Sequence, residues 1–380
     1  MTFPRVRVEG TPRERGRSYG EQARDRVRRS VEAYREVFDA YAGWDWPTVT
    51  GHARGYEPAI ERFDATYLEE MRGVAEGAGL EDVDVLAINV RTEVMFAAKA
   101  RDAGGRQPAE CSAFAVTPAR SANAHTLIGQ NWDWLLHSAD TLVVLEAAQE
   151  GRPDYVTVVE AGLLAKTGMN SSGIGLVTNA LVSDADRGIP GVPYHVALRS
   201  ILDAETISDA FSSLQRARRS SSANYLIAHT DGLAVDVEAA PGGLEALYLS
   251  FPEDGLLLHT NHFTSERFGG VDVGLWVMPD SPFRLQRLRE QSSSSEGKLS
   301  LDDFRSALSD HANHPSGVCC HPDPRSRPLE QGETVASVLM DLDACRMWIA
   351  DGRPCTAPFE ELDLSGLLGK PSAVLDAATR

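Results

Sequence analysis

Residues 110–133 decide how this chain is read. They run Glu110-Cys111-Ser112-Ala113-Phe114-Ala115-Val116, then a polar turn Ser121-Ala122-Asn123-Ala124-His125, then Gly129-Gln130-Asn131-Trp132-Asp133. A cysteine opens a run of strand-forming residues. Beyond the turn, a second apolar run ends in a polar cluster. Two such runs joined by a short polar connection predict a β-hairpin. Antiparallel pairing then returns Asn131 and Asp133 to the end of the hairpin at which Cys111 sits.

Upstream, Tyr19, Ala23, Val27, Val31, Tyr34, Phe38 and Tyr41 recur every three or four positions, which predicts one long helix over 11–43. Further helices are expected over Glu57–Ala78 and Val83–Ala98. Residues 101–108 form a polar loop containing Gly and Pro. Downstream the pattern changes to short β-rich runs at 141–147, 155–160, 163–167 and 174–178. Helices follow at 194–203 and 205–216, and strands at 225–228, 233–238 and 244–249. The apolar run Leu256-Leu257-Leu258-His259-Thr260-Asn261-His262 ends in polar groups. Helices at 282–291 and 301–312 and a hairpin at 335–350 complete the pattern. Strands and helices in alternating blocks imply sheets covered by helices, without choosing between a sandwich and an open sheet.

Composition sets limits. With 380 residues, 42% of them hydrophobic, the chain is long enough for a substantial core. A net charge of −18 repels phosphate backbones, so nucleic acid is not an expected partner. No apolar run is long enough to span a bilayer and no apolar leader is visible, so no membrane association is expected. Five cysteines in this length do not make a disulfide framework, and a reducing cytoplasm is the expected compartment.

The paired segments Cys111-Ser112-Ala113-Phe114-Ala115-Val116 and Gly129-Gln130-Asn131-Trp132-Asp133 resemble the peptidase C45 family, that of the acyl-coenzyme A:6-aminopenicillanic acid acyltransferases. Its members are cysteine N-terminal-nucleophile (Ntn) hydrolases. The resemblance implies an α+β fold, the four-layer αββα Ntn-hydrolase sandwich, behind a helical N-terminal segment. It implies self-cleavage between Glu110 and Cys111, giving a small piece (1–110) and a catalytic piece (111–380) that stay associated. The irregular loop before Cys111 suits a processing site. The expected substrate is a small-molecule amide, and no cofactor is called for.

Such a cysteine carries its own base, because the freed α-amine, with a reference pKa of about 7.7–8.0, can take the thiol proton. Before cleavage that nitrogen is an amide, so another group must help the N-to-S acyl shift. The resemblance assigns this help to Asp133. It places an oxyanion-hole Asn at Asn261, and a polar group at about Asn179. Gln130 and Asn131 are read as buttresses of the hairpin; relatives often carry Arg where Gln130 stands. Each of these residues has a plainer reading: a buried small thiol at Cys111, and turn-capping side chains at the others.

Cys319-Cys320-His321-Pro322 falls where the family often shows Arg, His and Pro, and Cys320 stands in place of the Arg. A metal site drawn from Cys319, Cys320, His321, His311 and His314 is the other reading. Adjacent cysteines lack the usual gap between zinc ligands, so none is expected. The working expectation is hydrolysis of an N-acyl or aminoacyl amide through acyl-Cys111. The alternatives are acyl transfer from a thioester and an uncleaved binding scaffold. The best-known relatives carry Gly where Glu110 stands, and Glu brings a side chain and a charge to the strained scissile turn that Gly tolerates more easily.

Overall fold

A computed structural model describes residues 3–99, 111–293 and 297–369. The expected Glu110–Cys111 scissile bond is described only on its Cys111 side.

The strand β1 (Arg5–Val8) comes first, followed by six helices: α1 (Pro12–Gln22), α2 (Arg24–Ala42), α3 (Trp46–Arg54), α4 (Glu57–Ala78), α5 (Asp82–Asn89) and α6 (Arg91–Lys99). The expected long helix over 11–43 is two. It breaks at Ala23, whose N–H still closes α1 on Tyr19 O while its own φ of −108° leaves the helical region. The halves part because they dock differently. α1 inserts Gly16 and Gly20 against the backbone of α4, whereas α2 turns Val27, Val31, Tyr34 and Phe38 into the core. Thr11 and Glu14 form a capping box at the start of α1, and Gly43 in the left-handed region ends α2.

The remaining strands are β2 (Cys111–Val116), β3 (Leu127–Leu135), β4 (Leu142–Ala147), β5 (Tyr155–Glu160), β6 (Thr167–Asn170), β7 (Ile174–Ala180), β8 (Ala223–His229), β9 (Ala234–Ala239), β10 (Leu247–Ser250), β11 (Leu256–His259), β12 (Gly332–Asp341), β13 (Arg346–Asp351) and β14 (Phe359–Asp363). Between them lie α7 (Tyr194–Leu202), α8 (Ile207–Arg216), the one-turn α9 (Gly274–Val277), α10 (Ser281–Ser293) and α11 (Leu301–Leu308). Among the described residues the strands form an eight-stranded sheet, β1-β4-β5-β6-β7-β8-β9-β10, and a six-stranded sheet, β11-β2-β3-β12-β13-β14.

The two sheets face each other through β2 and β3 against β7 and β8. α7 and α8 cover the larger sheet, and α10 and α11 cover the smaller one. This is the αββα order that the resemblance implies. Alternation along β2 shows why. Cys111, Ala113 and Ala115 join the core between the sheets, while Phe114 and Val116 pack outward with Leu288, Phe304 and Leu308. Phe114 stacks on Phe304 with ring centroids 3.6 Å apart. The N-terminal segment is not a separate body, since β1 pairs in parallel with β4, Arg5 opposite Val144. No helix among the described residues is long and apolar enough to cross a membrane.

Candidate active site

The hairpin has the expected register. Cys111 opposes Trp132, one residue short of Asp133, so the two polar ends meet. β11 pairs with the other edge of β2, His259 opposite Ala113, and delivers Asn261 to the same place.

Cys111 is buried at the start of β2. Its backbone N–H donates to Asn261 Oδ1 at 2.7 Å. Asn261 Nδ2 donates to Ala180 O at 2.9 Å; an amide has two such protons, so one remains for another acceptor. Asn261 N–H donates to Ser281 Oγ at 2.7 Å, which fixes the turn after β11. Arg284, on α10, lies over this pair. It donates to Cys111 O at 2.7 Å, to Ser112 Oγ at 3.1 Å and to Asn261 Oδ1 at 3.0 Å, and its Nε is held by Asp280 at 2.7 Å.

The Asp133 backbone N–H faces the Cys111 sulfur and favours its thiolate. The Asp133 carboxylate accepts from Thr334 Oγ1 at 2.5 Å. Thr334 adjoins a β-bulge in β12, a device that re-aims side chains beside sites. Asp133 therefore lies beside the thiol, while the group on the Cys111 nitrogen is Asn261. Asn179 is fully buried at the end of β7, next to Ala180. Its Oδ1 accepts from Asn224 at 3.3 Å, and its Nδ2 has no partner among the described residues. Gln130 and Asn131 buttress the hairpin. Gln130 Oε1 accepts the Thr178 N–H across the two sheets at 2.7 Å, and Asn131 Nδ2 donates to Leu308 O and Val318 O, both at 2.8 Å.

Lys166 is the residue that sequence reasoning missed. Its side chain is buried, with Nζ 3.4 Å from Tyr194 Oη and 5.1 Å over the Trp132 ring. Among the described residues no carboxylate lies at salt-bridge distance from it. Burial pushes its pKa down to about 8. Burial pushes the Cys111 thiol up; the Lys166 charge pulls it back, and the Asp133 carboxylate opposes that. One signal for Lys166 was available: it is a lone charge in the apolar run Leu163-Leu164-Ala165-Lys166. Arg284 gave only the Asp280/Arg284 spacing, common to many helices.

At the far side of Thr334, the Cys319–His321 segment approaches His311 and Cys355. Of the residues weighed for a metal, Cys319, His321 and His311 come together. Cys320 turns away, its Sγ 3.9 Å from Gly332 O.

Among known protein families, residues 120–355 match the model described as acyl-coenzyme A:6-aminopenicillanic acid acyl-transferase. The match covers Asp133, Asn179 and Asn261 and begins just after Cys111. The acyl-coenzyme A:6-aminopenicillanic-acid-acyltransferase 40 kDa form of Emericella nidulans is 26% identical over 351 residues, 92% of each chain. Two solved structures align at 13% identity. A mutant of the conjugated bile acid hydrolase of Clostridium perfringens does so with TM-score 0.47 over 69% of this chain and 95% of its own. The penicillin V acylase of Agrobacterium tumefaciens does so with TM-score 0.40 over 67% and 86%.

Proposed function

We propose, from the premise that this chain belongs to the acyl-coenzyme A:6-aminopenicillanic acid acyl-transferase family, that it is a self-processing cysteine Ntn enzyme. It cleaves an N-acyl or aminoacyl amide of a small molecule through an acyl-Cys111 intermediate. The observation that carries this is the Cys111 N–H held by Asn261 Oδ1 at 2.7 Å, with Arg284 locking both groups. A backbone nitrogen pinned by a side-chain acceptor is already arranged as the α-amine of a mature nucleophile.

In processing, the Cys111 thiol attacks the Glu110 carbonyl, the chain shifts from nitrogen to sulfur, and water opens the thioester. In turnover, the free α-amine accepts the thiol proton as sulfur attacks the amide carbon, then passes it to the leaving amine. The second Asn261 Nδ2 proton and Asn179 Nδ2 are the donors available to the developing oxyanion. A preorganised side-chain donor of this kind is worth about 2.7–4 kcal/mol. Asp133 steadies the sulfur through its N–H, and its carboxylate, beside the thiol, takes the thiol proton during processing and returns it to the nitrogen as the Glu110–Cys111 C–N bond breaks. Because the Emericella relative is named as an acyltransferase, transfer to an amine is the second reading; both share acyl-Cys111.

Intact-protein mass spectrometry tests the processing step. The expected result is two fragments cut before Cys111 in the wild type, one uncut and inactive chain in Cys111→Ala, and slowed cutting in Asp133→Asn. An active wild type that stays one chain overturns the reading. Trapping the acyl-enzyme by acid quench, with and without added amines, separates hydrolysis from transfer. An intermediate that is stable in water and discharged only by an amine makes the enzyme a transferase.

A further inference from the structure

Beyond the Asp133–Thr334 pair, three segments bring four side chains together. His311 lies after α11, Cys319 and His321 lie in the turn leading back to β12, and Cys355 lies in the loop after β13. Their ligating atoms all fall within 4.8 Å of one another. His321 Nε2 is 3.1 Å from His311 Nε2, 3.7 Å from Cys319 Sγ and 3.6 Å from Cys355 Sγ. A tetrahedral zinc, with Zn–N of about 2.0–2.1 Å and Zn–S of about 2.3 Å, sets its nitrogen pair roughly 3.4 Å apart and its nitrogen–sulfur pairs roughly 3.5–3.6 Å apart. The two nitrogen–sulfur separations are close to the edges of such a tetrahedron, the nitrogen pair is about 0.3 Å short of its edge, and the remaining pairs lie within 4.8 Å.

The geometry points to a structural zinc site made by His311, Cys319, His321 and Cys355. Two thiolates and two imidazoles fill all four positions and neutralise the dication, a donor set that selects zinc over the harder cations. The adjacent cysteines that argue against a metal in the sequence do not both serve. Cys319 N–H is fixed on Asp310 O at 3.0 Å and His321 N–H on Pro315 O at 2.9 Å. Cys320 between them faces the other way and exchanges hydrogen bonds with Thr334: its N–H to Oγ1 at 3.0 Å, and Thr334 N–H to its carbonyl at 3.1 Å. The ligand pattern is thus Cys-x-His, with the other two ligands supplied by the fold.

On binding, the two thiol protons pass to solvent, and His321 gives its Nε2 lone pair to the metal with its proton on Nδ1. Arg353, now 3.0 Å from His321 Nδ1, is partly exposed and has Glu333 at 3.4 Å to turn towards. The ion joins the 310–321 and 352–357 loops behind Thr334, which holds Asp133. It therefore supports the active site from outside and takes no part in the chemistry.

The test is elemental analysis of the full-length protein purified without chelator or histidine tag. About one zinc per chain is expected in the wild type and in Cys111→Ala. Loss is expected in Cys355→Ser and His311→Gln, both near the surface and unlike core substitutions. Cobalt exchanged into Cys111→Ala should give the visible bands and the thiolate charge-transfer absorption of a tetrahedral site, absent in Cys355→Ser. A wild-type chain with all thiols reduced that takes up neither zinc nor cobalt overturns the proposal, as does a purified protein in which Cys319 and Cys355 are joined as a disulfide.

Discussion

Beside Cys111, the proposed nucleophile, one buried ammonium does two opposed things. Among the described residues Lys166 has no carboxylate partner at salt-bridge distance, and its pKa falls from 10.5 to about 8 through burial. A folded-state value below the unfolded one means that the unfolded chain binds more protons between those limits. Stability therefore rises as pH climbs from about 8 to about 10.5, and below that window the folded protein carries a penalty of about 3 kcal/mol. The same charge favours the Cys111 thiolate. The other groups in its field are Arg91, Glu160 and the neutral His195. Lys166→Met should stabilise the protein at pH 7 by up to about 3 kcal/mol in urea unfolding. The same substitution should move the pH profile of Cys111 alkylation upward. A variant that is stabilised but keeps the wild-type alkylation profile would remove Lys166 from the thiol's electrostatics and leave it a desolvated bystander.

At the scale of elements, the helical segment depends on close backbone contact. A Cβ on Gly20 would lie 2.2 Å from Val74 O, and one on Gly77 would lie 2.1 Å from Arg17 O. Both obstacles are backbone, so relief requires α1 and α4 to separate. Gly77→Ala should cost about 3 kcal/mol, the upper end of ordinary overpacking. Gly51→Ala, on α3 with open space around it, should be neutral or stabilising by about 1 kcal/mol. Equal denaturation midpoints for the two variants would contradict this packing account. The helix over Glu57–Ala78 was legible in the sequence, though not its kink at Asp64, and two strand-forming runs about a polar turn made the β2–β3 hairpin legible, because these signals are local. The break at Ala23 was hidden because it follows from which partner each half-helix docks on. β1 was hidden because four residues reading Arg-Val-Arg-Val become a strand only by pairing with β4. The site divides the same way. Asp133 follows from hairpin geometry, and Asn179 and Asn261 end apolar runs. Lys166, Arg284 and Cys355 reach their places through tertiary contacts that no spacing encodes.

For the whole molecule, the question is what would hold the N-terminal segment, described over residues 3–99, if the chain is cut before Cys111 as proposed. Two features span the boundary. β1 is an edge strand of the larger sheet, hydrogen-bonded to β4 and flanked by Arg5 and Arg7 on Glu146. Deeper, Glu160 on β5 accepts from Arg91 Nη2 at 2.6 Å and from Tyr34 Oη at 2.6 Å; both donors belong to the N-terminal segment. Trp134, beside Asp133, donates to Tyr34 Oη at 3.0 Å, and Arg91 stacks 4.4 Å from its ring. The same cluster thus reaches from the N-terminal helices to the β2–β3 hairpin. Surface charge pairs are screened at about 1 M salt, where the Debye length is about 3 Å, whereas a buried pair is screened far less. The cleaved wild type should therefore run as one species on size exclusion in 1 M salt. Arg91→Met leaves the buried Glu160 carboxylate with Tyr34 alone to answer it among the described residues, a loss of about 3–5 kcal/mol. That variant should release the small fragment at a lower urea concentration than the wild type, and it should lose activity in parallel as Trp134 loosens. Wild-type fragments that separate in salt alone would show that exposed pairs hold the halves together. An Arg91→Met protein as tightly joined as the wild type would shift that role to β1 and the apolar core.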